Sequence, residues 1–258
     1  MVTVIMRVVL LQRDLAWGDP RANLQNLDQA LDRNPGTDLY VLPEMFTTGF
    51  ATLPDASVEK EPSEGLAWMK AAAARTDAAI AGSIALDTGG KCLNRFYFVT
   101  PDGTVVTYDK RHLFTYGGEQ ERFSAGNKKE IVEWRGWRFL LTVCYDLRFP
   151  VWLRNRDDYD AIICVANWPD KRRYHWDTLL RARAIENQCY VLGVNRVGSD
   201  PVCNYNGGTV LLDPYGNAVA SCPDNTQCEC SGEFDKKLIQ DYRAKFPVLE
   251  DADTFELI

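Results

Sequence analysis

The sequence predicts a mixed α/β fold in which helices cover the faces of sheets. Short apolar runs typical of buried strands alternate with longer segments whose apolar residues recur at helical spacing. Several strand-like runs are joined by short turn sequences, which indicates antiparallel hairpins within the same fold. No internal repeat, low-complexity tract or linker interrupts this pattern. Residues 1–258 are therefore expected to form a single domain.

The predicted elements follow one another along the whole chain. A helix that begins after Asp19-Pro20 and ends at Asn34 carries Leu24, Leu27 and Leu31 on one face. The other predicted helices are 65–75, 174–188 and 235–245. The predicted strands are 4–11, 39–42, 79–84, 95–100, 104–108, 131–134, 137–143, 160–166, 190–197, 208–212 and an edge strand at 226–233. The core candidates on the helix at 174–188 are Leu179, Leu180, Ala182, Ala184 and Ile185.

The composition excludes several classes of protein. The formal net charge is −7, which argues against a nucleic-acid-binding protein. No apolar stretch approaches the ~20 residues that a membrane-spanning helix needs. The apolar run at the N-terminus contains Arg7 and no small-residue cleavage site, so it is interpreted as a first strand and not as a signal peptide.

The eight cysteines do not indicate a disulfide-stapled secreted protein, because the chain is too long for that class. Cys222, Cys228 and Cys230 cluster near the end, but their spacing matches no common zinc pattern. We therefore expect reduced thiols, no metal and a cytoplasmic location.

The strand predicted at 137–143 ends at Cys144, where a polar turn begins with Tyr145, Asp146 and Arg148. A free cysteine is usually an inert buried side chain. At the end of a core strand, next to backbone N–H groups that point away from the sheet, a thiol is instead well placed to act as a nucleophile. This position makes Cys144 the first candidate for a catalytic residue.

Polar residues follow three further predicted strands. Glu44, Lys110 and Asn167 each stand where an apolar run ends, as Cys144 does. Ligands in α/β folds bind beyond the carboxyl ends of strands, so these four side chains can converge although they are distant in sequence.

A cysteine nucleophile needs a base, and the chain offers two histidines and a carboxylate. His112 lies two residues beyond Lys110, and His175 opens a helix, so neither has the local signature of a Cys-His pair. Glu44 follows a buried strand, where it can act as a base near neutral pH. Lys110 can lower the pKa of the thiol, and with the N–H of Tyr145 it can stabilise an oxyanion.

These residues resemble a known signature. The sequence is similar to the nitrilase, or carbon–nitrogen hydrolase, superfamily and within it to the omega-amidase branch. The matching segments are Leu42-Pro43-Glu44 within PEMFTTGF, Tyr108-Asp109-Lys110, Cys144–Pro150, Ala166–Pro169, His175-Trp176, Ala182–Gln188 and Tyr242–Pro247.

The resemblance implies roles for four residues. Glu44 is expected to be the general base, Lys110 the oxyanion stabiliser and Cys144 the nucleophile, while Glu119 positions the lysine and the substrate. The family fold is an α/β four-layer α-β-β-α sandwich that dimerises through helices. The family uses no metal or cofactor, so the expected partners are a small amide substrate and a second copy of the chain.

The implied reaction is hydrolysis of the terminal amide of a short 2-oxo-dicarboxylate monoamide, such as 2-oxoglutaramate or 2-oxosuccinamate. The far carboxylate of such a substrate needs a cation, for which Arg148 and Arg173 are the candidates. The other expected substrate-binding residues are Tyr145, Asn167, Trp168, Phe114 and Tyr116, with Phe46 as a further possible aromatic wall.

Two alternatives remain open from the sequence. The same Glu-Lys-Cys site can serve an N-carbamoyl amide hydrolase or a nitrilase, which the length of the pocket would distinguish. A catalytically silent dimeric scaffold is the alternative of another class, although a silent relative is expected to lose at least one of the three residues.

Overall fold

The computed structural model describes residues 5–256. The predicted strands and helices occur in the predicted order, and several short strands and helices that were not predicted lie between them. The first strands and helices are β1 (Ile5–Gln12), α1 (Pro20–Asp32), β2 (Leu39–Val41), β3 (Glu59–Lys60), α2 (Glu64–Thr76), β4 (Ala79–Asp87), β5 (Leu93–Val99), β6 (Val105–Asp109) and α3 (Glu119–Arg122). These are followed by β7 (Ile131–Trp134), β8 (Trp137–Val143), α4 (Pro150–Leu153), β9 (Ala161–Ala166), α5 (Arg173–Asn187) and β10 (Tyr190–Asn195). The last are β11 (Val197–Ser199), β12 (Asn204–Asn206), β13 (Val210–Leu212), β14 (Ala218–Ser221), β15 (Cys228–Asp235) and α6 (Lys236–Lys245).

Two mixed sheets form the centre of the structure. The first has the strand order β15-β1-β2-β4-β5-β6, with β3 paired to β4, and the second has the order β14-β13-β10-β9-β8-β7. Strands β1, β2 and β4 run parallel, as do β8, β9 and β10, whereas the outer pairs are antiparallel. A short hairpin, β11-β12, stands apart from both sheets. As predicted, β15 lies at an edge.

The sheets pack face to face and helices cover their outer faces. Between the sheets, Phe98 of β5 lies 6.1 Å from Phe139 of β8, measured between ring centroids. Helices α1 and α2 pack on the first sheet through an apolar cluster that includes Leu27 and Met69. Helix α5 packs on the second sheet, where a Cβ on Gly193 would lie 2.5 Å from Leu180. The predicted four-layer α-β-β-α sandwich is confirmed.

The spacing of apolar residues along the chain explains these layers. In β1, Val8 and Leu10 belong to the core between the sheets, whereas Val9 and Leu11 belong to the cluster beneath the helices, as alternation along a strand requires. The strand is apolar on both faces because both faces are covered. Residue 4, with which this strand was predicted to begin, lies outside the described residues.

Three local differences from the prediction concern the second sheet and its helix. The segment after Cys144 is a 3₁₀ helix, Cys144–Arg148, and not an irregular polar turn. Pro150 then starts the short helix α4, where its missing N–H costs nothing. Ile185, predicted in the core, is half exposed, because the inward stripe of α5 runs through Leu180, Ala184 and the neighbouring turns. Among the described helices, none is long and apolar enough to span a membrane.

Candidate active site

The candidate nucleophile Cys144 directly follows β8 in a left-handed backbone conformation, with φ +46°. This region is sparsely populated by residues with a Cβ, and such strain concentrates at functional sites. Asp146 stabilises the turn, since its carboxylate accepts hydrogen bonds from the N–H of Val143 (2.9 Å), the N–H of His112 (2.9 Å) and the hydroxyl of Tyr108 (2.8 Å). The hydrogen bonds of Asp146 therefore stabilise the turn that carries the strained backbone of Cys144.

The turn is also held from α5. Both Nε and Nη2 of Arg183 donate to the carbonyl oxygen of Leu147, at 3.0 and 2.6 Å. Arg183 is almost fully buried, so these bonds are formed away from water, where they contribute most.

Glu44, Lys110 and Glu119 form a continuous network with no side-chain exposure to solvent. The ammonium of Lys110 lies 3.0 Å from Oε1 of Glu44 and 3.0 and 2.9 Å from the two carboxylate oxygens of Glu119. Glu44 follows β2, Lys110 follows β6 and Glu119 begins α3. The predicted convergence at the ends of strands is thus seen for residues 66 positions apart.

Two asparagines complete the network. The N–H of Asn167 donates to Oε2 of Glu44 at 2.7 Å, so a third predicted strand-end residue lies beside Glu44 and Lys110. The side-chain amide of Asn94 donates to both Glu44 (2.7 Å) and Glu119 (3.2 Å). Asn94 was not predicted. Its signal is local: it shares the inward face of β5 with Phe96 and Phe98, where a polar residue needs buried partners.

The electrostatics of the site do not favour a thiolate in the free protein. Burial raises the pKa of the Cys144 thiol well above its ordinary range, and the negative charge of Glu44 raises it further. Lys110 lowers the pKa of this thiol, as predicted, but its effect is the smaller one. Cys144 therefore needs a base at the moment of reaction.

The charged groups around the thiol have displaced pKa values of their own. Burial acts to lower the pKa of Lys110, but Glu119 and Glu44 overcome it, so the net direction is upward and the ammonium is retained. The pKa of Glu119 is raised, chiefly by burial and against the attraction of Lys110. The lysine is thus a permanent cation between two carboxyl groups.

Neither histidine is a base for Cys144. Nδ1 of His112 lies 2.8 Å from Asp146, and its ring stacks on Phe149 with the centroids 3.8 Å apart. Nδ1 of His175 lies 3.1 Å from Nη2 of Arg148. Both histidines have structural partners, which leaves Glu44 as the candidate base.

A cavity of about 150 Å³ opens onto Cys144. Five of the predicted substrate-binding residues line it: Phe114, Tyr145, Arg148, Asn167 and Trp168. The guanidinium of Arg148 lies 4.9 Å from the ring centroid of Trp168, so it is held flat against one wall. The hairpin β11-β12 contributes a further wall through Tyr205.

Three predicted residues lie elsewhere. Arg173 is directed away from this cavity, because its guanidinium donates to Asp177 and Asp224 at 2.8 Å each on another surface. Its neighbour Arg172 lines the cavity instead. Tyr116 is 87% exposed, with its ring centroid 5.8 Å from that of Phe114, and Phe46 is buried beneath the helices of the first sheet.

Cys222 directly follows β14 and lies near Cys228 and Cys230 of β15, far from the network in the chain. Within residues 5–256, no group of three or more histidine, cysteine or acidic side chains is arranged to hold a metal ion.

A family model described as "Carbon-nitrogen hydrolase" matches residues 7–244. The chain belongs to the carbon–nitrogen hydrolase family. The predicted family is confirmed. The omega-amidase YafV of Yersinia enterocolitica is 48% identical over 254 residues, which cover 98% of this chain and 99% of the relative. The 2-oxoglutaramate amidase of Bacillus subtilis is 32% identical over 248 residues, which cover 93% of this chain and 95% of the relative.

Solved structures of carbon–nitrogen hydrolases share the architecture. A superfamily member from Xanthomonas campestris, whose active site carries an arsenic adduct, superposes with a TM-score of 0.95 at 41% identity and full coverage of both chains. Nit3 of Saccharomyces cerevisiae, from the nitrilase superfamily, superposes with a TM-score of 0.83 at 26% identity and covers 94% of each chain. The predicted nitrilase-type fold is thereby confirmed.

Proposed function

We propose that this enzyme is an omega-amidase that hydrolyses the terminal amide of short 2-oxo-dicarboxylate monoamides, such as 2-oxoglutaramate and 2-oxosuccinamate. The single observation that carries the proposal is the position of Cys144. It stands at φ +46° at the mouth of a small cavity, where the charges of Glu44, Lys110 and Glu119 all act on its thiol. The names of the curated relatives support the same activity.

The first half of the reaction forms a thioester. Glu44 accepts the thiol proton as the sulfur of Cys144 attacks the amide carbon, and the carbonyl oxygen becomes an oxyanion. Protonation of Glu44 removes the charge that holds one N–H of Lys110, which becomes free to donate to this oxyanion. The N–H of Tyr145, at the start of the 3₁₀ helix, is a second donor candidate. Glu44 then gives its proton to the departing ammonia.

The second half restores the enzyme. Glu44, again a carboxylate, accepts a proton from a water molecule that attacks the thioester carbon. The C–S bond breaks, the 2-oxo acid leaves and the sulfur of Cys144 recovers a proton from Glu44. In both halves, Glu119 keeps Lys110 in position and Asn94 keeps Glu44 in position through their hydrogen bonds.

The cavity suits a short substrate with one anionic end. Its volume is below the ~300 Å³ at the small end of pockets for drug-sized ligands. Arg148, free of carboxylate partners within the described residues, supplies the cation for the far carboxylate. These features favour the omega-amidase over the alternatives with larger N-carbamoyl or nitrile substrates.

Ammonia release from a panel of 2-oxoglutaramate, 2-oxosuccinamate, carbamoyl amino acids and nitriles tests the proposal. The two 2-oxo amides should give the highest kcat/KM, and rapid acid quenching should trap a 2-oxoacyl adduct on the peptide that contains Cys144. A preference for the carbamoyl compounds or the nitriles would replace the proposed substrate. Absence of turnover on the whole panel would favour the silent scaffold.

We further propose that the chain forms one domain and a homodimer in the cytoplasm. The family match over residues 7–244 supports one domain. Exposed apolar residues on or beside helices support association through helices: Val151, Tyr174, Ile185 and Phe246. Light scattering should give twice the chain mass of 29.2 kDa, and Ile185→Glu should shift it to the monomer mass if α5 lies in the interface. Fractionation of the source cells tests the location.

A further inference from the structure

Two guanidinium groups, not one, line the cavity at Cys144. Arg148 lies over Trp168 and Arg172 lies over Phe114, with 5.1 Å from the Arg172 guanidinium carbon to the ring centroid. Neither arginine pairs with a carboxylate among residues 5–256, unlike Arg173, which has two such partners. Two cations without an ion-pair partner at the wall of a largely apolar cavity point to an anionic ligand.

Arg172 is held in place by the site itself. Its carbonyl oxygen accepts a hydrogen bond from Nε1 of Trp168 at 2.8 Å, and its N–H donates to Pro169 at 3.0 Å. The aromatic ring beneath it belongs to Phe114, whose N–H donates to Glu119 at 2.6 Å. The guanidinium is therefore positioned relative to both the cavity wall and the catalytic network.

The carboxylate of Asp200 also lines the cavity and offsets part of the positive charge of the two arginines. It accepts hydrogen bonds from the N–H groups of Val202 (2.8 Å) and Cys203 (2.7 Å) and from the hydroxyl of Tyr205 (2.5 Å). Its oxygens are committed to the turn between β11 and β12. An ammonium group entering the cavity would meet two guanidinium groups and one carboxylate, Asp200, whose oxygens already accept hydrogen bonds within their own turn.

We propose that Arg172 is a specificity-determining residue that, with Arg148, recognises the 2-oxo acid end of the substrate and rejects the corresponding 2-amino acid. This inference rests on the proposed omega-amidase function. A 2-oxo acid presents a carboxylate and a neighbouring carbonyl oxygen, which together offer acceptors to two planar donor groups. In L-glutamine an ammonium group replaces the 2-oxo group. The arginines then lose a hydrogen-bond acceptor on the substrate, and their positive charges repel the ammonium, so both effects disfavour the 2-amino acid.

The test compares kcat/KM for 2-oxoglutaramate and for L-glutamine in the wild-type enzyme, Arg172→Gln and the matched control Arg173→Gln. Arg172→Gln should lower the ratio of the two kcat/KM values by about tenfold or more, mainly through KM for 2-oxoglutaramate. Arg173→Gln, one residue away but paired on another surface, should leave the ratio unchanged. Arg172→Lys, which keeps the charge and loses the planar donor group, should fall between them.

A binding measurement separates recognition from chemistry. In a Cys144→Ala background, calorimetry with 2-oxoglutarate should show affinity about tenfold weaker for Arg172→Gln than for Arg173→Gln. Equal affinities, or an unchanged oxo-to-amino ratio in a wild-type-folded Arg172→Gln, would overturn this inference while leaving the amidase function intact. If the wild-type enzyme does not hydrolyse 2-oxoglutaramate, the proposed function itself fails.

Discussion

Lys110 and Glu119 form an ion pair with no solvent exposure, in which the ammonium lies 3.0 and 2.9 Å from the two carboxylate oxygens. Only nine residues separate them, yet one follows a strand and the other begins a helix. A buried pair of this kind is costly to desolvate and is strongly destabilised when one partner is removed. Its value to the enzyme lies in holding a cation at a fixed point beside Cys144.

Glu119→Gln should damage catalysis more than binding. The amide keeps the shape and one acceptor but loses the charge that holds Lys110, so the ammonium shifts toward Glu44. A displacement on the order of 1 Å costs about 10²-fold in kcat, with KM little changed. Steady-state kinetics on 2-oxoglutaramate measure this, and Glu121→Gln on the exposed side of α3 is the control. A wild-type kcat in Glu119→Gln would contradict the positioning role.

Glu44→Gln and Cys144→Ala should each abolish amide hydrolysis while the fold persists. The first removes the proposed base and the second removes the proposed nucleophile, and neither histidine is placed to substitute because both have other partners. Ammonia release should fall by about 10⁴-fold or more, and thermal unfolding should still be cooperative. Retained turnover in either variant would remove the role assigned to that residue.

The pKa of the Cys144 thiol should move in opposite directions in two variants. Burial and Glu44 raise it above its ordinary value of 9.0, and Lys110 lowers it. Lys110→Met should therefore raise the pKa further, and Glu44→Gln should lower it. The alkylation rate with iodoacetamide increases as the thiol ionises. The pH at which this increase occurs should therefore be higher in Lys110→Met, and lower in Glu44→Gln, than in the wild type.

Mass spectrometry of the Cys144 peptide follows this reaction without interference from the half-buried Cys203 and Cys228. Shifts in the same direction for both variants would contradict the electrostatic account of the site.

Asp146→Asn should destabilise the fold and reduce activity together. Its buried carboxylate accepts hydrogen bonds from Val143, His112 and Tyr108. In asparagine an NH₂ donor replaces one of the two acceptor oxygens, so at least one of these bonds is lost. Loss of one hydrogen bond to a buried charged group costs about 1.5–3 kcal/mol. Urea denaturation should show this loss in the free energy of unfolding. Asp157→Asn, an exposed carboxylate on the other side of β9, should have little effect.

A strong chelator should leave activity unchanged, because the proposed reaction uses only the side chains of Glu44, Lys110 and Cys144. Overnight dialysis against the chelator, followed by the ammonia assay, makes the measurement. The triple change of Cys222, Cys228 and Cys230 to serine should likewise preserve kcat. A loss in either case would assign these thiols a metal or a part in catalysis.

The sequence by itself determined the alternation of strands and helices, the strand ends and the four polar residues that follow them, whereas the four-layer arrangement was expected only from the resemblance to a family. Periods of 2 and 3.6 are local properties, so β8, α1 and the position of Cys144 could be predicted without knowledge of the fold. Glu119, an ordinary charged residue by local pattern, was identified only through resemblance to a family.

The tertiary structure alone decided which side chains share the cavity. Arg172 and Arg173 are neighbours in the sequence, but Arg172 caps α5 and lines the cavity, whereas Arg173 is the first residue of α5 and faces another surface. Asn94 is part of the site because β5 brings it to Glu44 and Glu119, which lie 50 and 25 positions away in the chain. Ile185 is exposed for the same reason: the inward stripe of a helix is set by the sheet on which it packs.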